Sequence, residues 1–273
     1  MRSSPRLWIA RLAAMTAVAL GASLAVALPA HAAIGTRPVE FVWTTLGPFQ
    51  EGSATVGCNA GEKVISGGYL SQNLSPQVKF TASYPSSDTQ WLVTAVNRSN
   101  ITQEVHIRAI CATGVTGYAR AFSPFGTVGS GSFGDATAQC ASGKIALGGG
   151  FIFARDERLV VNASRLSATN TWQTRVYNGA TATANPQAAV TCTSLTGQFT
   201  LLSGVQANTG QSGFFFSKCA TGITTGGGFR FIGGDSSSTV VTATIPTSPG
   251  WKLNFNNQTG TNRVIEQSLV CFP

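Results

Sequence analysis

Six cysteines and three tryptophans fall on a single period, and that period constrains the fold more than any other feature of the chain. Cys58, Cys140 and Cys219 are 82 and 79 residues apart, and Cys111, Cys192 and Cys271 are 81 and 79 apart. Trp91, Trp172 and Trp251 repeat the spacing, at 81 and 79. Three residues after each first cysteine stands a glycine: Gly61, Gly143 and Gly222. A small-residue cluster and an aromatic follow, as Ser66-Gly67-Gly68-Tyr69, Gly148-Gly149-Gly150-Phe151 and Gly226-Gly227-Gly228-Phe229. An asparagine recurs six residues after each tryptophan, at Asn97, Asn178 and Asn257. So many matches at one spacing mark three copies of a unit of about 80 residues. The copies are taken as residues 33–117, 118–197 and 198–273.

Cysteine pairing follows from the repeat. Six cysteines allow 15 connectivities, but only Cys58–Cys111, Cys140–Cys192 and Cys219–Cys271 treat the three units alike. A bridge closing such a loop restricts the unfolded chain by roughly 4 kcal/mol. That contribution matters because a unit this small buries little core of its own. Thiolate metal binding is not expected. No C-x-x-C spacing occurs, and the only histidine beyond the first 32 residues is His106.

Paired cysteines call for an oxidising compartment, and the N-terminus supplies a route to one. Arg2, Arg6 and Arg11 precede an apolar stretch from Leu12 to Leu28, which ends in Pro29-Ala30-His31-Ala32. This is the pattern of a signal peptide cleaved after Ala32. The expectation is export to the extracellular space without stable membrane insertion. Of the 18 basic residues 15 then remain, against 10 acidic ones, and they form no Lys/Arg run. Nucleic acid is therefore not an expected partner.

The segments around the anchors read as strands. Trp251, Leu253 and Phe255 alternate with Lys252, Asn254 and Asn256, and Trp172, Thr174 and Val176 with Gln173, Arg175 and Tyr177. Trp91 to Val96 is apolar on both faces, which suits a strand covered twice. Glycine clusters ahead of an aromatic either supply positive φ or let two backbones pass closely, as at a bulge. No segment shows a helical period. Low charge and 31 glycines fit the same picture. The expected class is all-β, with three homologous disulfide-bonded repeats. It is not the immunoglobulin pattern, because each tryptophan lies 32 or 33 residues after its first cysteine. Two arrangements remain: a β-prism-like unit with a pseudo-threefold axis, or small sandwiches in tandem. Short joins at Ala112–Gly117 and Thr193–Gly197 favour packed units.

The passages Cys58 to Tyr69, Cys140 to Phe151 and Cys219 to Phe229 resemble a broad group of exported bacterial proteins. These carry C-x-x-G-K-x-x-x-G-G-G-F-like repeats, each with a later tryptophan strand and a closing cysteine. The resemblance runs from about Phe41 to Pro273. The second repeat, with Gly143-Lys144, matches best; the first has Glu62-Lys63, and the third lacks the lysine and is one residue shorter before its glycines. It implies secretion and a three-repeat β build, and it supplies no catalytic residues. A three-sheet organisation is also similar, at the level of fold alone, to the vitelline membrane outer layer family.

The side-chain inventory argues against catalysis, and neither catalytic residues nor a cofactor or metal is expected. His106 lies on a polar strand face with Glu104 and Arg108. The adjacent acids Asp156 and Glu157 sit between Arg155 and Arg158 in what reads as an exposed hairpin tip. The expected role is non-enzymatic surface recognition of an extracellular glycan, protein or cell-envelope component, with a structural or assembly subunit as the alternative and a hydrolase third. Trp91, Trp172 and Trp251 are candidate sugar-stacking platforms, set against a core role. Asn97, Asn178 and Asn257 are candidate ligand contacts, set against a turn-shaping role. Phe214-Phe215-Phe216 marks either an apolar patch or a doubly covered strand.

Overall fold

A computed structural model describes residues 34–153, 158–232 and 238–273. The chain divides into Met1–Ala32 and Ala33–Pro273; the expected signal peptide is the first of these and lies outside the described residues. Among the described residues no helix is long and apolar enough to cross a membrane.

Each repeat supplies six strands in the same order. The first gives β1 (Gly35–Leu46), β2 (Glu51–Gly57), β3 (Lys63–Ser71), β4 (Val78–Pro85), β5 (Gln90–Asn97) and β6 (Gln103–Thr113). The second gives β7 (Ala119–Phe122), β8 (Phe133–Gln139), β9 (Ile145–Ile152), β10 (Leu159–Ala168), β11 (Thr171–Asn178) and β12 (Gln187–Thr193). The third gives β13 (Phe199–Ala207), β14 (Ser212–Ser217), β15 (Ile223–Ile232), β16 (Thr239–Pro246), β17 (Trp251–Asn257) and β18 (Arg263–Phe272).

No repeat owns a sheet. The three six-stranded sheets run β1-β6-β3-β16-β17-β14, β2-β5-β4-β9-β12-β7 and β13-β18-β15-β10-β11-β8. Every repeat thus gives three strands to one sheet and three to the next. The joining pairs are short and equivalent: Tyr69↔Thr244 and Leu70↔Ala243, Phe151↔Ser83 and Ile152↔Ala82, Phe229↔Ser164 and Arg230↔Ala163. Because the third repeat pairs back onto the first, the arrangement is a closed, pseudo-threefold, β-prism-like unit. A row of independent sandwiches is thereby overturned. At the corners β1 packs beside β2, β7 beside β8 and β13 beside β14, so the unpaired edges of neighbouring sheets lie close to one another.

The repeated small residues are what the seams require. A Cβ on Gly68, Gly150 or Gly228 would stand 1.7, 1.8 or 2.3 Å from the carbonyl oxygen of Thr244, Ser83 or Ser164 in the neighbouring repeat. One on Gly67, Gly149 or Gly227 would enter the indole of Trp91, Trp172 or Trp251 at 2.6, 2.5 or 2.2 Å. Of the two roles expected for these glycines, close approach is the one in use. Register shifts at Val64/Ser66, Ala146/Gly148 and Thr224/Gly226 put a bulge beside each cluster. The glycines three residues after the first cysteines have the turn role instead, with φ of 83°, 77° and 72° at Gly61, Gly143 and Gly222.

All three expected disulfides form, Cys58–Cys111, Cys140–Cys192 and Cys219–Cys271. Each ties the turn before the glycine strand to the last strand of its own repeat. The interior is apolar, with Tyr69, Phe80, Phe151 and Phe229 in one continuous core that draws on all three repeats.

Candidate functional site

The three tryptophans belong to the core. Trp91, Trp172 and Trp251 are 0%, 1% and 0% exposed. Their indole N–H groups donate to Ser83 Oγ at 3.0 Å, Ser164 Oγ at 3.0 Å and Thr244 Oγ1 at 2.9 Å. With no face open to solvent and the one donor satisfied, they cannot stack a sugar. The expectation of stacking platforms is corrected: these rings carry the seams.

The three asparagines are equally buried, at 0%. Asn178 Nδ2 donates to the carbonyls of Val128 and Ala182, both at 2.9 Å, while its Oδ1 accepts the Ala180 N–H at 2.9 Å. Asn97 bonds Gly47 and Ile101 in the same way, and Asn257 bonds Asn208 and Thr261. Each side chain shapes the turn after its strand and ties that turn to the loop between the first two strands. As ligand contacts these residues are also corrected, because their polar atoms are already spent on backbone.

His106 does stand with Glu104 and Arg108 on an outward face. Its Nδ1 lies 2.6 Å from Glu40 Oε1 and its Nε2 2.7 Å from Glu104 Oε1. Burial opposes ionisation of Glu40, but bonds from His106 and Arg108 outweigh it and hold the carboxyl below its ordinary value. Among the described residues one Cys/Glu group is close enough to hold a cation, Cys58, Glu62 and Cys111. Its two sulfurs are bonded to each other and its carboxylate is taken by Arg37 at 2.6 Å. Asp156 and Glu157 lie outside the described residues. Phe214 and Phe216, 69% and 49% exposed, point outward from β14, while Phe215 packs on Phe255. The strand is covered once, with its outer side apolar.

Superposing the strand registers of the three repeats shows where the molecule departs from its own symmetry. On the side of each sheet away from the tryptophans, the position on β4, β10 and β16 that faces β5, β11 and β17 holds Tyr84, Arg165 and the buried Ile245, across from Leu92, Gln173 and Lys252. Two pairs further along, on the same side, stand Thr94, Arg175 and Asn254. On the adjoining strand the positions are Ile152, Arg230 and Leu70. One sheet face therefore gathers three arginines at backbone sites that hold no arginine on the other two faces. Arg165, Arg175 and Arg230, with Asn162 and Gln173, line a shallow groove of about 280 Å³.

The arginines are not equivalent. Arg175 Nη1 pairs with Asp135 at 2.6 Å, and Arg230 Nε with the largely buried Glu266 at 2.7 Å. Arg165 has no carboxylate partner among the described residues, and its buried Nε has no hydrogen bond. Burial, with the charge of Arg230 added, pushes the Arg165 guanidinium below its ordinary value, Glu266 opposing. Beside the groove on the same face, the rings of Phe133 and Tyr177 meet at a 44° tilt with centres 4.8 Å apart, and Arg175 lies over Phe133 at 5.8 Å. None of these residues stood out in sequence, because they are scattered over 98 positions; aligning the repeats strand by strand would have found them.

A family model described as YjdH matches residues 16–111, which covers most of the first repeat and part of the segment before it. No curated protein matches the chain. What the structure defines is a class: an all-β, three-repeat, disulfide-bonded closed prism, whose paired cysteines fit an oxidising environment.

Proposed function

We propose that this is a secreted, non-enzymatic recognition protein that binds an extracellular glycan or cell-envelope component on an outer sheet face. The supporting observation is the contrast between inside and outside. Seams, tryptophans, asparagines and disulfides keep the threefold pattern, while the outer faces carry different chemistry at matched backbone sites. A scaffold needs the first and is indifferent to the second, so the variation belongs to what each face meets. Among the described residues, all six cysteines are oxidised and both nitrogens of His106 lie against carboxylates. Pull-down on isolated cell-wall material, followed by a glycan array, tests this reading. Saturable retention that a soluble glycan competes away is expected; failure to retain the protein on any envelope fraction removes the proposal.

A second reading, an assembly subunit without a small ligand, draws on Phe214 and Phe216. Two exposed rings on the edge strand of a sheet are a natural contact for another protein surface. Light scattering across a concentration series separates the two, since an assembly subunit grows and a monomeric recognition protein does not.

A further inference from the structure

The groove between β10, β11 and β15 has a ligand chemistry that can be read from its parts. It rests on the recognition reading above and narrows it to one face and one class. We infer that this face binds an acidic sugar unit, with the carboxylate or phosphate group held at Arg165 and the sugar ring against Phe133 and Tyr177.

Three observations carry the assignment. First, the arginines are dispensable to the fold. Tyr84 and Ile245 occupy the Arg165 position in the other repeats, Thr94 and Asn254 the Arg175 position, and Leu70 and Ile152 the Arg230 position. The same backbone closes the same way without them, so the fold does not explain why three guanidinium groups meet on one face. Second, the Arg165 charge meets no carboxylate among the described residues. Asp135 and Glu266 serve Arg175 and Arg230, which leaves Arg165 half-buried with an unused Nε–H and a like charge nearby. A guanidinium presents planar, forked donors that match carboxylate and phosphate oxygens, and an anion arriving there would satisfy both the donor and the field. Third, the groove is sized and furnished for a sugar rather than a bare ion. At about 280 Å³ it is larger than an inorganic anion needs. Gln173 and Phe231 stand at its wall, and the Phe133–Tyr177 pair continues the same face with an apolar surface. Convergent polar groups beside an aromatic surface are the usual make-up of a small-ligand site.

Calorimetry with three probes tests the assignment: an oligogalacturonate, a glycerol-phosphate oligomer and a neutral malto-oligosaccharide. The wild-type protein is expected to bind at least one acidic probe, more weakly as salt rises, and to ignore the neutral one. Arg165→Tyr places at this site the residue the first repeat already carries, and should weaken that binding at least tenfold with the melting temperature unchanged. If Arg165→Tyr does not fold, Arg165→Gln keeps a polar, flexible side chain and removes the charge, with the same loss expected. Binding of the carboxylate probe alone, or of the phosphate probe alone, identifies which acid the site takes and supports it either way. Absence of binding to both acidic probes overturns the inference, as does equal binding by the variant. Saturable binding of a neutral glycan that survives Arg165→Tyr would also overturn it while leaving the recognition reading intact. No saturable binding to any envelope material would remove both.

Discussion

Gly68 and Thr244 stand so close across the seam between the first and third repeats that a methyl group on the glycine would lie 1.7 Å from the threonine carbonyl oxygen. Backbone is the obstacle, so neither side can yield by turning a side chain. Gly68→Ala is expected to destabilise the protein by about 3 kcal/mol or more. Gly204→Ala, at a site on β13 where the nearest atoms are 3.8 Å away, should stay within about 0.5 kcal/mol of wild type. Urea denaturation of the two variants checks the contrast. Similar midpoints would mean that the seam is not closed as described.

Asn178 tests the turn assignment. Asn178→Ala leaves the carbonyls of Val128 and Ala182 and the Ala180 N–H without their partner, at a cost of roughly 2–3 kcal/mol. Asn178→Asp keeps the acceptor but loses both donors, and should not restore stability. Thermal melts of the pair distinguish a hydrogen-bonding role from simple bulk, which aspartate would preserve.

A single repeat should not fold. In a fragment of residues 118–197, strands β9 and β10 would lose the neighbours they pair with, β4 and β15. Two three-stranded half-sheets would remain, each with one side open. The expected amide NMR spectrum is collapsed, even with Cys140–Cys192 oxidised. A dispersed spectrum would contradict the interdependence of the repeats.

Lys79 provides a test in pH. It lines a small apolar pocket with Leu159, Val161, Val240 and Val241, and burial pushes its ammonium down to about 8 from 10.5. The folded state therefore releases this proton before the unfolded state does. Between pH 8 and 10 the unfolded chain holds more protons at this site, so the Lys79 contribution to stability rises with pH. At pH 7 the charged form is present in both states and the folded one bears the desolvation. Lys79→Met should then be more stable than wild type at pH 7, by up to about 3 kcal/mol, and the gap should narrow towards pH 10. Denaturant titrations of both proteins at the two pH values give the comparison, and a gap independent of pH would refute it.

Much of the framework was legible in the sequence. The 79–82-residue spacing of cysteine and tryptophan led to three disulfides and three equivalent strands. The exchange of strands between repeats was not legible, for a physical reason. Pairing β3 with β16 rather than with β4 of its own repeat buries the same apolar residues, so hydrophobic pattern cannot choose between them. What chooses is steric: Gly68, Gly150 and Gly228 are cleared for a neighbour's backbone, and a glycine does not name its neighbour. The arginine groove was missed for a related reason. Arg230 joins Arg165 and Arg175 on one face only because β10 pairs with β15, a contact between repeats.

Because each sheet is half one repeat and half the next, the ring has no first member. Thr113 passes to Ala119 and Thr193 to Phe199 through equal intervals, and Ile34 packs against the cluster that contains Phe272. A gene rewritten to start at the second repeat, with a short linker from Pro273 to Gly35, would encode the same object. Where the polypeptide is cut is a matter of history, and the architecture would tolerate three answers.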